Sequence, residues 1–196
     1  MDRIEAAAEV LRRGGIVIYP TETLYALGAR ADREPVLRRL ALAKLRPEGK
    51  PLPLVAADLA QVQGVARLEG KALRVAERLW PGALTLVLPA LAGLSPAVTA
   101  GSGTVGIRIP GSPLARALAG RAGYALVSTS ANPAGGPSPA RVEDLDPALL
   151  ARVDHVLDGG PTPGGLPSTV VQIEGGLVRL LREGAVPLSA VVEAAG

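Results

Sequence analysis

The sequence predicts an α/β protein built on a mixed sheet. Three observations lead there. Amphipathic helical segments and short apolar strands alternate through the first half of the chain. A hairpin signal with Gly175-Gly176 at its turn closes the second half, and a hairpin added to helix-linked strands makes a sheet mixed. The chain has 196 residues and no Phe, so Leu, Val, Ala and Ile must supply the core of a single domain over 1–196.

The elements follow in order. Asp2 can cap a helix over 4–13, whose Ile4, Ala7, Ala8 and Leu11 share one face; Gly14 and Gly15 end it. A buried strand over 16–19 stops at Pro20. The polar triplet Thr21, Glu22, Thr23 follows it directly and is a candidate site loop, ahead of a small apolar segment over 24–29. Asp32 can cap a helix over 33–45. Its last turn and the following loop carry Lys44, Arg46 and Lys50; compensation of the helix dipole would account for the first two equally well. A strand over 52–57 and a short helix capped by Asp58 come next. An amphipathic helix over 71–80 turns Leu73, Ala76, Leu79 and Trp80 inward and ends at Pro81-Gly82. A strand over 84–88 precedes an irregular stretch over 91–100.

Gly101, Gly103 and Gly106 match G-x-G-x-x-G, but they lead into a strand over 104–109 and open no helix, so this is not a dinucleotide fingerprint. Arg108 lies between two isoleucines in that strand, and is either solvated or holding an anion. Ser112 and Pro113 start a helix over 114–119. The stretch 126–139, LVSTSANPAGGPSP, is the most informative. It leaves a buried strand over 124–127 and becomes hydroxyls, an amide and a Gly/Pro loop. In an extended chain Ser128, Ser130 and Asn132 face one way; a polar turn bonding its own backbone is the competing reading. The remainder is partly helical over 142–152 and broken at Pro147, then a strand over 155–157 containing His155, a loop over 161–167, the hairpin, and a terminal helix over 189–194.

Composition excludes much chemistry. No Cys means no disulfide, thiolate metal site or Cys nucleophile, and the single His argues against a His-based triad or His-pair metal site. No apolar run approaches the ~18 residues of a membrane span, and the N-terminus lacks a signal-peptide pattern, so a cytoplasmic protein is expected. The net charge of +3 permits anionic ligands or RNA without requiring them. Hydroxyls and cations gather at strand ends, without paired carboxylates, a metal cluster or a Walker loop. Such residues suit phosphate binding, with catalysis by placement and charge neutralisation.

An ordered set of motifs carries a resemblance. It comprises YPTETLYALG over 19–28, AKLRP over 43–47 with KPL over 50–52, WPGALTL over 80–86, TVGIRIP over 104–110, SAN over 130–132, SP at 138–139, DGGP over 158–161, STVV over 168–171 and LREG over 181–184. In this the sequence resembles the YrdC/Sua5 family of threonylcarbamoyl-AMP synthases, including its K-x-R … S-x-N signature as Lys44, Arg46, Ser130 and Asn132.

The resemblance implies a twisted open mixed sheet flanked by helices, YrdC/RibB-like, with a large, concave, positively charged site. It implies the short, single-domain type without a C-terminal Sua5 domain. The reaction it implies joins L-threonine, bicarbonate and ATP into threonylcarbamoyl-AMP and pyrophosphate, for t6A modification of tRNA. Thr23, Val55, Arg108, Ser128 and Ser168 would take threonine; Arg46, Lys50, Thr104, Ser130, Ser138 and Arg182 would take ATP; the four signature residues would be catalytic. Magnesium would ride on the ATP phosphates, with no metal site assigned to the protein. Implied partners are tRNA threonylcarbamoyl transferase proteins downstream; the positive charge also admits tRNA or double-stranded RNA, and whether either is bound directly stays open. Val55 stands where relatives often carry His. Two other readings fit the same residues: an RNA-binding or ribosome-maturation module, and a YciO-like paralogue using another carbamoyl or acyl donor. For the first, only Tyr19, Tyr25, Tyr124 and Trp80 could stack bases.

Overall fold

Two mixed sheets, rather than one, carry the chain. The structure is a computed structural model that describes residues 2–45 and 49–196. Its elements run α1 (Arg3–Arg12), β1 (Val17–Pro20), β2 (Tyr25–Gly28), α2 (Glu34–Ala43), β3 (Leu54–Val55), α3 (Leu59–Gln63), α4 (Gly70–Leu79), β4 (Leu84–Pro89), α5 (Pro96–Thr99), β5 (Thr104–Arg108), α6 (Pro113–Ala122), β6 (Leu126–Val127), β7 (Thr129–Ser130), a 3-10 turn (Val142–Asp144), α7 (Pro147–Leu150), β8 (His155–Val156), β9 (Thr169–Glu174), β10 (Leu177–Arg182) and α8 (Leu188–Ala195). One sheet has the order β7-β2-β1-β8, the other β10-β9-β4-β5-β3-β6. Both mix parallel and antiparallel pairs: β1 runs antiparallel to β2 and parallel to β8, and β4 runs antiparallel to β5 and parallel to β9.

Burial follows the period of two in β1. Ile16 and Ile18 enter the larger core with Leu27, Leu40, Leu86 and Ile107, while Val17 and Tyr19 enter a smaller one beneath α1 and α6. Small residues allow those two helices to pack closely: Ala7, Ala8 and Leu11 meet Ala115, Leu118, Ala119 and Ala122. Caps set the ends. Asp2 accepts from the Ile4 N–H, and Ser112 accepts from the Ala115 N–H with Pro113 opening α6. The β9–β10 turn has positive φ at both Gly175 and Gly176, as a type I′ hairpin requires.

Several expectations change. Asp32 does not cap α2; the Arg30 guanidinium takes its carboxylate at 2.6 Å, and Arg33 becomes the cap residue. The helix expected over 33–45 ends at Ala43, and the strand expected over 52–57 keeps ladder pairing only at Leu54–Val55. The stretch over 91–100 contains α5, because Ser95 caps it and Pro96 starts it. Pro147 opens α7 behind the cap Asp146 instead of breaking a longer helix. Trp80 is core, donating its indole N–H to the Leu84 carbonyl at 2.7 Å. Among the described residues no helix is long and apolar enough to cross a membrane.

Candidate active site

A cavity of about 730 Å³ opens where the chain passes from one sheet to the other. β6 belongs to the six-stranded sheet and β7 to the four-stranded one, with Ser128 alone between them. Ser128 donates its N–H to the Pro53 carbonyl at 2.8 Å, while β7 pairs with β2 through Leu27 and Ala26. The two sheets diverge at this point, and a ligand-sized crevice between them follows. Thr23, Val55, Arg108, Ser128 and Ser168 all line it. So do Lys44, Lys50, Thr104, Ser130, Asn132, Ser138 and Arg182. Arg46 lies outside the described residues. Four cations, Lys44, Lys50, Arg108 and Arg182, reach the lining, and among the described residues no carboxylate does.

The polar stretch after β6 is partly an extended strand and partly a turn. Ser128, Ser130 and Asn132 line the cavity as their spacing suggests, but Thr129 lines it too. The alternation ends at Ala131, where the Asn132 N–H returns to the Ser130 carbonyl at 2.9 Å. Lys44 closes this turn from the opposite side. Its ammonium donates to the Ser130 carbonyl (2.6 Å) and hydroxyl (3.1 Å), and to the Asn132 carbonyl and amide oxygen (both 3.0 Å). The Ser130 hydroxyl donates to Asn132 Oδ1 at 2.5 Å, and the Asn132 amide donates to the Gly136 carbonyl. The Ala134 N–H donates back to the Lys44 carbonyl at 3.0 Å. Lys44 thus forms one cluster with Ser130 and Asn132, 86 and 88 residues away, in which Lys44 and Asn132 are buried and Ser130 partly so.

Arg108 is not the solvent-facing arginine of a one-sided sheet. It is 8% exposed, with its guanidinium 3.4 Å from Glu22 of the β1–β2 connection. Thr21 shapes that connection: its hydroxyl accepts from the Thr23 and Leu24 N–H groups (both 3.3 Å) and donates to the Leu24 carbonyl at 2.8 Å. This leaves Thr23 at the cavity with its hydroxyl 3.1 Å from that of Thr21. Tyr19 lies beneath, wholly buried. Burial pushes its phenol up to about 12, against the opposing pull of the Ser128 hydrogen bond and the Arg108 charge. Tyr19 fits because residue 28 is glycine; a Cβ there would stand 2.6 Å from the ring and 2.7 Å from the Val127 carbonyl.

At the other wall, the Ser168 hydroxyl meets that of Thr85 at 2.9 Å, and Arg182 donates to the Ser168 carbonyl (2.7 Å) and hydroxyl (3.0 Å). Loss of hydration, then the charge of Arg108, holds the Arg182 guanidinium below its ordinary range. Thr85 and Thr129 are the hydroxyls the sequence reading overlooked. Thr85 sits inside an apolar run, where the available signal was a threonine at alternating register between Leu84 and Leu86. Among the described residues no group of three or more His, Cys, Asp or Glu stands together to hold a metal ion. Of the aromatic side chains, Tyr19, Tyr25 and Trp80 are buried, and Tyr124 is half-buried beneath Arg30. They form no stacking platform for bases.

The fold and lining define an α/β protein with a basic, hydroxyl-rich cavity at the junction of two mixed sheets. The chain belongs to the Sua5/YciO/YrdC family, matching over residues 9–184 the family model described as "Telomere recombination". A threonylcarbamoyl-AMP synthase of Bacillus subtilis (strain 168) is 41% identical over 186 residues, covering 94% of this chain and 54% of the relative. One of Stenotrophomonas maltophilia (strain K279a) is 42% identical over 166 residues, 83% of this chain and 88% of the relative. The structure of P. abyssi Sua5 complexed with L-threonine superposes with a TM-score of 0.93 at 35% identity, covering 98% of this chain and 57% of that one. The chain therefore spans little more than half the length of the Bacillus and Pyrococcus relatives.

Proposed function

We propose that the protein is a nucleotidyltransferase that makes threonylcarbamoyl-AMP and pyrophosphate from L-threonine, bicarbonate and ATP, in the cytoplasm, for tRNA modification. The observation that carries the reading is a cavity in which cations and hydroxyls from separate segments converge without a lining carboxylate among the described residues. Such a lining suits a polyanion beside an amino acid. Synthases at 41% and 42% identity support the same activity.

The roles divide by chemistry. Arg108 takes the threonine carboxylate in its planar fork; Thr23, Ser128 and Ser168 take the polar groups, and Val55 packs against the methyl. Bicarbonate supplies CO2 by losing hydroxide; the threonine amine attacks that carbon, and the proton the amine loses joins the hydroxide as water, leaving a carbamate. A carbamate oxygen then attacks the α-phosphorus, and the bond to the β-phosphate oxygen breaks as pyrophosphate leaves with the electron pair. Lys50, Arg182 and Arg46 offset the charge growing on that leaving group, while Thr104, Ser130 and Ser138 position the nucleotide. The Arg46 assignment rests on the K-x-R signature. Lys44 and Asn132 hold Ser130 in place. The donor set around the cavity is hydroxyl and cationic, so a magnesium ion would take its ligands from the triphosphate and water.

Pyrophosphate release tests the reading. It is expected to require L-threonine and bicarbonate together with ATP. Release that ignores threonine would point instead to a YciO-like paralogue using another carbamoyl or acyl donor. Tight, steeply salt-dependent RNA binding without ATP turnover would point to a binding module.

A further inference from the structure

Glu22 has no part in the roles above, yet it is an unusual side chain. Its carboxylate is buried, and among the described residues neither oxygen has a hydrogen-bond donor. Its one ion-pair partner among the described residues is Arg108, at 3.4 Å. That is longer than the 2.7–2.9 Å of a charge-assisted hydrogen bond, so the contact is ionic only. The Arg108 Nε is likewise buried without a partner. A carboxylate held this way is costly, and packing alone would favour a neutral residue. Thr21 and Thr23, on either side of it, direct their hydroxyls to each other and to backbone.

What the charge does is offset one of the cations that line the cavity. Arg108 carries a buried counter-charge behind it, whereas Lys50 and Arg182 form no ion pair with a carboxylate among the described residues. The charge of Arg108 is therefore offset by a neighbouring carboxylate, and the charges of Lys50 and Arg182 are not. A zwitterionic amino acid suits the first and a polyphosphate the second. We propose that Glu22 is a specificity-determining residue whose buried charge keeps polyphosphate off Arg108 and reserves that guanidinium for a carboxylate. The proposal rests on the reading of Arg108 as the amino-acid anchor. Discrimination comes from a repulsive group as much as from an attractive one.

The test compares the unmodified protein with Glu22→Gln, which removes the charge at nearly constant shape, and Glu22→Asp, which keeps it. Equilibrium binding of L-threonine is measured with and without inorganic pyrophosphate. In the unmodified protein and in Glu22→Asp, pyrophosphate is expected to leave threonine binding unchanged. In Glu22→Gln it becomes a competitor, with apparent affinity against threonine raised by roughly tenfold or more, since several negative charges each gain from the lost repulsion. Threonine itself, with charges of both signs, shifts by less than about threefold. Pyrophosphate that displaces threonine from the unmodified protein would overturn the proposal even if Glu22→Gln failed to fold. Identical competition in all three would do the same. A protein that binds no L-threonine would sink the functional reading first, and the assignment of Glu22 with it.

Discussion

Two buried cations line the same cavity, and their surroundings are opposites. Lys44 gives its ammonium to four oxygens of Ser130 and Asn132, all within 3.1 Å. Among the described residues Arg108 faces one carboxylate at 3.4 Å, and its buried Nε has no hydrogen-bond partner. A saturated cation has its geometry fixed and belongs to the architecture of the site. An under-saturated one retains capacity for an incoming anion. One region has its polar groups satisfied by folding, and the other keeps buried polar atoms without hydrogen-bond partners among the described residues.

The contrast can be broken most forcefully at Arg108. The double variant Arg108→Met with Glu22→Gln removes both charges together. Steady-state kinetics are expected to show kcat/KM for threonine about a thousandfold lower, or ~4 kcal/mol, with KM for ATP little changed. Stability by urea unfolding should be equal to or above that of the unmodified chain, because an imperfect buried pair gives way to neutral groups. A large loss of stability would show that the pair is structural after all.

Lys44→Met should behave in the opposite sense. It strands acceptors inside the Ser130–Asn132 turn, so unfolding free energy should fall by about 3 kcal/mol, with activity lost through the disordered turn. Unchanged urea stability would erase the distinction between the two cations.

Tyr19 sharpens the comparison from below, where it underlies the Arg108 side. Its phenol titrates near 10 when the chain is unfolded and at about 12 when folded. The stability linked to it is therefore present below pH 10 and lost as pH rises toward 12, by roughly 2–3 kcal/mol over those two units. Unfolding free energies of Tyr19→Phe and the parent should diverge across that window and no lower. The smallest effect is expected at Thr85→Val, which removes one hydroxyl contact with Ser168. About 1 kcal/mol of stability and a few-fold rise in KM for threonine should follow, without change in KM for ATP.

The sequence made the local features readable and the long-range ones much less so. Caps at Asp2, Asp58 and Ser112, the Gly175-Gly176 hairpin and the aliphatic core all follow from residue chemistry within a few positions. The split into two sheets does not, because β3, β6, β7 and β8 are only two residues long and their partners are set by packing. Asp32 misled for a related reason: a cap and an ion pair compete for one carboxylate, and Arg30 wins. The candidate site residues were legible as ordered motifs, yet the meeting of Lys44 with Ser130 and Asn132 spans 86 to 88 residues and no local rule encodes it. Glu22 was visible as a polar residue after a strand. Its pairing with Arg108 needed the fold.

Mass spectrometry of the products formed from ATP, bicarbonate and L-threonine tests the central claim most directly. The account predicts threonylcarbamoyl-AMP and pyrophosphate in equal amounts, with one added carbon traceable to labelled bicarbonate. Pyrophosphate with AMP but no threonine-containing adduct would contradict it.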